Sequence, residues 1–279
     1  MTCDDLAECW TRRWPRPSET SNKQGAYMVK TWGEENAGVE LGDYTREQAR
    51  EYGLKYPSRV KFLRAMFNDA IRDGLIKPRA NLMLMNPFSA LRIAKPRKER
   101  YFPSTEEVQA LIRAAQEPLR GRIRFSAYTG LRLGEMLAVR PCDLGDGRVN
   151  VRWQINPSDE RVQRKGKIKD YWALIPEQGR ISPSWLLLSH GHAERLWPHP
   201  RYLYNKEWNA LRKRLKLPEN FVWHSLRHHA ATWFLDQGAS FEDVAIQLGH
   251  SDEGTMVREV YGHRDRGKAL DRLEAVVNG

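Results

Sequence analysis

HSLRHHAATWFLDQGASFEDVAIQLGHSDEGTMVREVYG, residues 224–262, contains three short helical patterns, each closed by a glycine. In the first, the Ala-rich run with Trp233, Phe234 and Leu235 stops at Gly238, which sets His224 and Arg227 one turn apart on one face. Both can reach one phosphate. Ser240 caps the second helix, Val244, Ala245 and Leu248 supply its apolar stripe, and Gly249 ends it, leaving His250 just beyond. The third is striped by Met256, Val257 and Val260 and stops at Tyr261-Gly262, so its phenol stands at a helix end rather than in a core stripe.

Alone, none of these residues decides anything. A single histidine is more often structural, a single arginine is a surface residue, and a tyrosine is usually a packing residue. A metal site built from His224, His228 and His229 is poorly supported, because HxxxH without the intervening Glu and without a nearby third ligand does not follow the zinc pattern.

Upstream, Tyr128-Thr-Gly-Leu-Arg132-Leu-Gly-Glu135 sets an arginine between two glycines, with a carboxylate one turn later. Gly130 can swing Arg132 out of the preceding apolar helix and Glu135 can fix its guanidinium, although an ordinary helical ion pair has the same spacing. Val149, Val151, Trp153 and Ile155 then alternate as one half-buried strand. Arg161–Arg164 and Tyr171–Ile175 are expected as further strands of a small antiparallel meander, with Lys165-Gly-Lys-Ile-Lys169 as the turn between them. One lysine at that tip can enter a DNA groove, whereas Lys167 and Lys169 read as solvated.

The chain has 279 residues, 46 Lys plus Arg against 35 Asp plus Glu, a net charge of +11 and pI near 9.7, and so suits a polyanionic partner. This length suits two domains. Cys3, Cys9 and Cys142 are few and scattered, which implies reduced thiols in the cytoplasm, no disulfide framework and no cysteine-held metal. MTCDDLAECW lacks the features of a signal peptide, and Trp185–Leu188 is too short to span a bilayer, so no membrane association is expected. The basic, proline-punctuated segment 92–101 predicts a linker between a helical domain, 1–91, and a second domain, 102–279, opened by the Ser104–Glu107 capping box. In the first domain, Thr45 opens one helix, and Val60, Leu63, Phe67, Ala70 and Ile71 stripe another that stops at Gly74.

Taken in order, Arg132 with Glu135, Lys165 in a basic turn, His224-x-x-Arg227, His250 and Tyr261 resemble the catalytic set of the tyrosine recombinases, the phage-integrase family. The resemblance is strongest from Ser104 to about Gly262, and LGHSDEGTMVREVYGH is similar to integrases of phages infecting actinobacteria. It implies a mainly α fold with a small antiparallel β-sheet: an N-terminal helical bundle that binds core DNA, and a C-terminal α+β catalytic domain.

The implied chemistry is metal-independent and needs no cofactor. Tyr261 attacks a DNA phosphate to leave a 3'-phosphotyrosyl link, Arg132 and Arg227 hold the non-bridging oxygens, and Lys165 protonates the leaving 5'-oxygen. His224 accepts the phenolic proton, and His250 completes the hydrogen-bonding shell. The implied partners are double-stranded attachment sites, a homotetramer on DNA and a directionality factor. The purpose would be integration or excision of a phage or mobile element.

Two departures from the family pattern stand out. Tyr171 takes a position usually basic and Leu174 one often proline, which leaves Lys167 as the alternative to Lys165, and the interval from His250 to Tyr261 is slightly long. The span before the linker suffices for a core-binding unit only, so no separate arm-binding domain is expected. Leu270, Leu273, Val276 and Val277 predict a tail helix that docks either on its own domain or on a neighbouring protomer. A type IB topoisomerase-like enzyme, or a relative that binds DNA without cutting it, would share much of this pattern.

Overall fold

The computed structural model describes residues 1–14, 19–76, 86–94, 99–164, 167–180, 195–197 and 200–262. The chain divides into two compact units, Met1–Arg97 and Lys98–Gly279. The first contains four helices among its described residues: α1 (Cys3–Arg13), α2 (Glu19–Glu35), α3 (Arg46–Lys55) and α4 (Val60–Arg72). Thr2 and Thr45 cap α1 and α3 through reciprocal bonds with Asp5 and Gln48, which satisfies amide groups that a helix start leaves open.

The striped face of α4 places Leu63, Met66 and Phe67 in a core with Trp10, Trp32 and Phe88. The indoles need hydrogen-bond acceptors once buried. Trp10 Nε1 donates to Asp69 at 3.1 Å and Trp32 Nε1 to the Tyr44 hydroxyl at 3.1 Å.

The second unit opens with α5 (Thr105–Ala114), α6 (Leu119–Thr129) and α7 (Leu133–Ala138). Five short strands follow: β1 (Leu144–Gly145), β2 (Arg148–Val151), β3 (Trp153–Ile155), β4 (Arg161–Gln163) and β5 (Tyr171–Leu174). The helices α8 (Arg201–Arg214), α9 (His224–Asp236), α10 (Phe241–Gln247) and α11 (Thr255–Tyr261) complete its described α-helices. Its main core runs from Val108 and Ile123 through Met136 and Val149 to Trp197, Trp208 and Leu226.

The strand pairing corrects the expected meander. The Val149–Ile155 alternation is not one strand but two, β2 and β3, and β4 and β5 are not partners. β3 turns back through Asn156–Glu160, where the Asn156 amide donates to the Glu160 carbonyl at 2.9 Å, so β4 spends its backbone groups on β3. β5 joins β2 instead, in the order β1-β2-β5, with Val149 opposite Ala173 and Val151 opposite Tyr171. β4 and β5 thus belong to different sheets and do not form the hairpin expected around 165–169.

Lys165 and the tail stripe Leu270–Val277 lie outside the described residues, as do residues 95–98 of the expected linker. Among the described residues, no helix is long and apolar enough to cross a membrane.

Candidate active site

Several polar groups of the site are set by a chain reversal or a helix end. α6 ends at Gly130 with φ of +72°, a left-handed conformation in which a side chain is strained, and α7 starts at Leu133 with Arg132 as its extended N-cap. The Glu135 carboxylate returns to this cap, accepting from the Arg132 amide at 2.9 Å and from its guanidinium at 2.9 Å. Glu135 is only 1% exposed while the Arg132 side chain is 42% exposed, so the counter-ion is buried and the cation faces outward. Burial alone would raise the Glu135 pKa, but Arg132, Arg227 and the hydrogen bonds of Arg132 and Arg164 outweigh it, and the carboxyl sits below its ordinary value.

Arg164, at the end of β4, was absent from the sequence-based set. Its side chain is 3% exposed, and its Nε donates to Glu135 Oε1 at 2.7 Å. Nη2 donates to the Gly249 carbonyl at 2.7 Å and Nη1 to the Ile168 carbonyl, while the guanidinium lies 4.5 Å from the centre of the Tyr171 ring. One buried fork thus joins the anchor of Arg132 to the backbone before His250. Gly249 has φ of +64°, and a Cβ there would lie 2.7 Å from Arg164 Nη2, so glycine is required by both conformation and space. The aromatic residue at position 171, a departure from the family pattern, forms the surface on which this guanidinium rests.

Arg227, in the first turn of α9, is buried and donates to the Gly130 carbonyl at 2.7 Å, the Leu248 carbonyl at 2.8 Å and His250 Nε2 at 2.7 Å. Burial and the neighbouring Arg132 push its pKa down to about 10, so it remains a cation at neutral pH. For His250, burial, then Arg227 and Arg132, push the pKa down to about 4, so the ring is neutral and its Nε2 can accept. Its Nδ1 has no hydrogen-bond partner among the described residues, which leaves a donor available in the site.

The phenol differs from its expected setting. Tyr261 is 4% exposed and belongs to an apolar cluster with Ala231, Val244, Leu248 and Val257, so it stands at a helix end and in a core at once. Burial raises its pKa above that of an ordinary phenol. Its hydroxyl lies 2.6 Å from Nδ1 of His228, not of His224, which the sequence had paired with it. The His228 ring packs against those of Phe102 and His224, with centroids 4.9 and 5.0 Å away.

The pKa of His224 is pushed down to about 4 by burial of the ring and by Arg227 and Arg132. As the residue is exposed overall, repulsion from the two arginines is the firmer cause. His229 is structural: its Nδ1 donates to the Ala127 carbonyl at 2.9 Å, joining α9 to α6.

Arg132, His224, Arg227, His250 and Tyr261 line one open cavity of about 760 Å³, together with His228 and Arg100. Lys167 is exposed. Chemically, the cavity offers guanidinium groups, neutral imidazoles and the hydroxyl of Tyr261, which suits a tetrahedral anion and a nucleophilic attack upon it. Among the described residues, no three His, Cys, Asp or Glu side chains group as a metal site. Sequence spacing could have flagged His228, since it lies one helical turn beyond His224 on the same face. No sequence signal marks Arg164, whose partners Glu135 and Gly249 lie 29 and 85 residues away.

A mainly helical domain that gathers two arginines, imidazoles and a tyrosine around one cavity defines a class of proteins built to hold an anion. The model of the phage integrase family matches residues 102–267, and the chain belongs to that family. It is 28% identical over 239 residues to prophage integrase IntR of Escherichia coli (strain K12), an alignment covering 73% of this chain and 56% of that protein. To the tyrosine recombinase XerC of Rhodospirillum centenum it is 29% identical over 217 residues, covering 71% of this chain and 59% of that protein. The chain therefore spans little more than half the length of these curated relatives. Its fold is shared with the Tn1549 transposon integrase, solved in complex with transposon right end DNA, at a TM-score of 0.76 and 17% identity, covering 99% of this chain and 100% of that one.

Proposed function

We propose that this chain is a tyrosine-type site-specific DNA recombinase that cuts and rejoins duplex DNA through a 3'-phosphotyrosyl intermediate. The observation that carries the proposal is the convergence of Arg132, His224, Arg227, His250 and Tyr261 on one cavity from four separate helical segments. A phosphodiester under attack gathers charge on its non-bridging oxygens, and guanidinium forks are matched to that charge. Arg132 and Arg227 take that role. Tyr261 is the nucleophile, Lys165 delivers a proton to the leaving 5'-oxygen, and His224 and His250 complete the hydrogen-bonding shell. In the second transesterification, a 5'-hydroxyl from the partner duplex attacks the phosphotyrosyl link and releases the phenol.

Exchange between two duplexes requires four strands to be cut, and each chain supplies one nucleophile, so the working assembly is four copies on two attachment sites. The helical unit Met1–Arg97 grips the core of each site, and the net charge of +11 favours that encounter. The biological role is integration or excision of a phage or mobile element, in the cytoplasm, with a small directionality factor choosing between them.

The test is a pool of nicked duplex oligonucleotides of randomised sequence, incubated with the protein and resolved under denaturing conditions. Wild-type protein is expected to form a covalent adduct enriched for one sequence, and Tyr261→Phe is expected to form none. A pool that yields no adduct, or a Tyr261→Phe protein that still yields one, overturns the proposal. Relaxation of any supercoiled plasmid without joining of two sites would favour a topoisomerase instead.

A further inference from the structure

We infer that His228, through Nδ1, is the group that takes the phenolic proton from Tyr261 as it attacks DNA. The inference rests on the recombinase proposal above and assigns a step that proposal leaves open. Three observations support it. The Nδ1 to hydroxyl distance is 2.6 Å, within the reach required of a proton acceptor. The His228 ring packs against two other rings, those of Phe102 and His224, which restrict its reorientation. His228 also lines the cavity, beside the arginines that would face a bound phosphate.

The charged and titratable groups around His228 are His224 and Arg227 on its own helix, Tyr261 on α11 and Arg100 before α5. Burial, His224, Arg100 and Arg227 together push the His228 pKa down to about 4, so the ring is unprotonated at neutral pH and can accept. Arrival of a phosphate anion among these cations reverses the local field and favours the imidazolium at the moment it must form. In the step itself the Tyr261 O–H bond breaks as its oxygen bonds to phosphorus, and the proton goes to His228 Nδ1. The bond from phosphorus to the 5'-oxygen breaks, and that oxygen takes a proton from Lys165. When the phosphotyrosyl link is later attacked, His228 returns its proton to the departing phenol.

Two substitutions separate proton transfer from positioning. His228→Phe keeps the ring packing and offers no acceptor. His228→Asn presents an amide oxygen near the place of Nδ1, so it can hold the phenol but is too weak a base to take its proton. With the randomised nicked pool, or the sequence selected from it, both variants are expected to bind DNA and to melt near the wild-type temperature. Both should form adduct more slowly by roughly 10²- to 10⁴-fold at neutral pH, the usual effect of a general base. Their rates should rise steadily with pH, as solvent hydroxide substitutes for the lost acceptor, while the wild-type rate stays flat from about pH 6 to 8. Wild-type speed in His228→Asn, or a loss that does not recover with pH, would overturn the inference.

The contact itself can be read without DNA. In nitrogen-15 histidine spectra, Tyr261→Phe is expected to shift the His228 Nδ1 resonance towards that of an unbonded ring nitrogen, and no shift would overturn the inference. If the shift is seen and wild-type protein forms no adduct, the recombinase proposal fails and the proton-transfer step fails with it. If adduct forms and His228→Asn is unimpaired, only the role of His228 fails.

Discussion

Arg164→Met tests the buried fork described above. The substitution keeps length and much of the volume but removes a guanidinium that is 3% exposed and bonded to Glu135 and to two backbone carbonyls. Glu135, 1% exposed, then depends on Arg132 alone for a direct ion pair, and the carbonyls of Gly249 and Ile168 lose their partner. Breaking a buried pair from one side costs about 3–5 kcal/mol. For a domain of roughly 150–250 residues, each kcal/mol moves the melting temperature by about 2–4 °C, so the expected fall is roughly 6–20 °C.

Differential scanning calorimetry on the full chain reads this as a drop in the transition of the second unit. The Glu135→Gln background supplies the control. There the cost of Arg164→Met should shrink, because the charge it neutralises is gone. A fall of less than about 1 kcal/mol, or an identical fall in both backgrounds, would show that the pair is not the stabilising contact inferred here.

Other expectations are as follows. Arg132→Ala and Arg227→Ala should each lose about 3–4 kcal/mol of transition-state stabilisation, seen as adduct formation slowed by roughly 10²- to 10³-fold in single-turnover assays with DNA binding retained. Glu135 has a depressed folded pKa, so its stabilising effect is full above its ordinary value of 4.5 and is lost as pH falls through the folded value. Melting curves of wild type and Glu135→Gln should therefore differ at pH 7 and approach each other in acid. His224, His228 and His250 are pushed from 6.5 to about 4, so the unfolded chain binds more protons between those values, and stability should climb as pH rises from 4 to 6.5. A histidine-dependent slope of the opposite sign would contradict their depressed values. Gly249→Ala combines an unfavourable φ of +64° with contact against Arg164, and thermal melts should show a loss of more than the ~1–2 kcal/mol of conformation alone.

What the sequence disclosed and what it hid follow the range of the interactions. The boxes at Thr45, Ser104 and Ser240 close within three residues, so the helix starts were legible, as were the glycine stops at 130, 238 and 249. Arg132 with Glu135 was legible for the same reason. Strand alternation marked the β segments but not their partners, because pairing depends on which turn closes first, and the Asn156–Glu160 turn claimed β4 for β3. Which histidine meets the phenol was likewise hidden. His224 and His228 share a helix face, and only the docking of α11 selects between them.

Arg132 and Arg164 share the Glu135 carboxylate while Arg227 adds a third cation close by, so the cavity holds mutual repulsion that a bound anion discharges. Sulfate or inorganic phosphate in a storage buffer would then occupy the ground meant for the scissile linkage. An assay begun from such a stock is expected to run slower in proportion to the anion carried over, and to regain its rate once the buffer is exchanged for chloride.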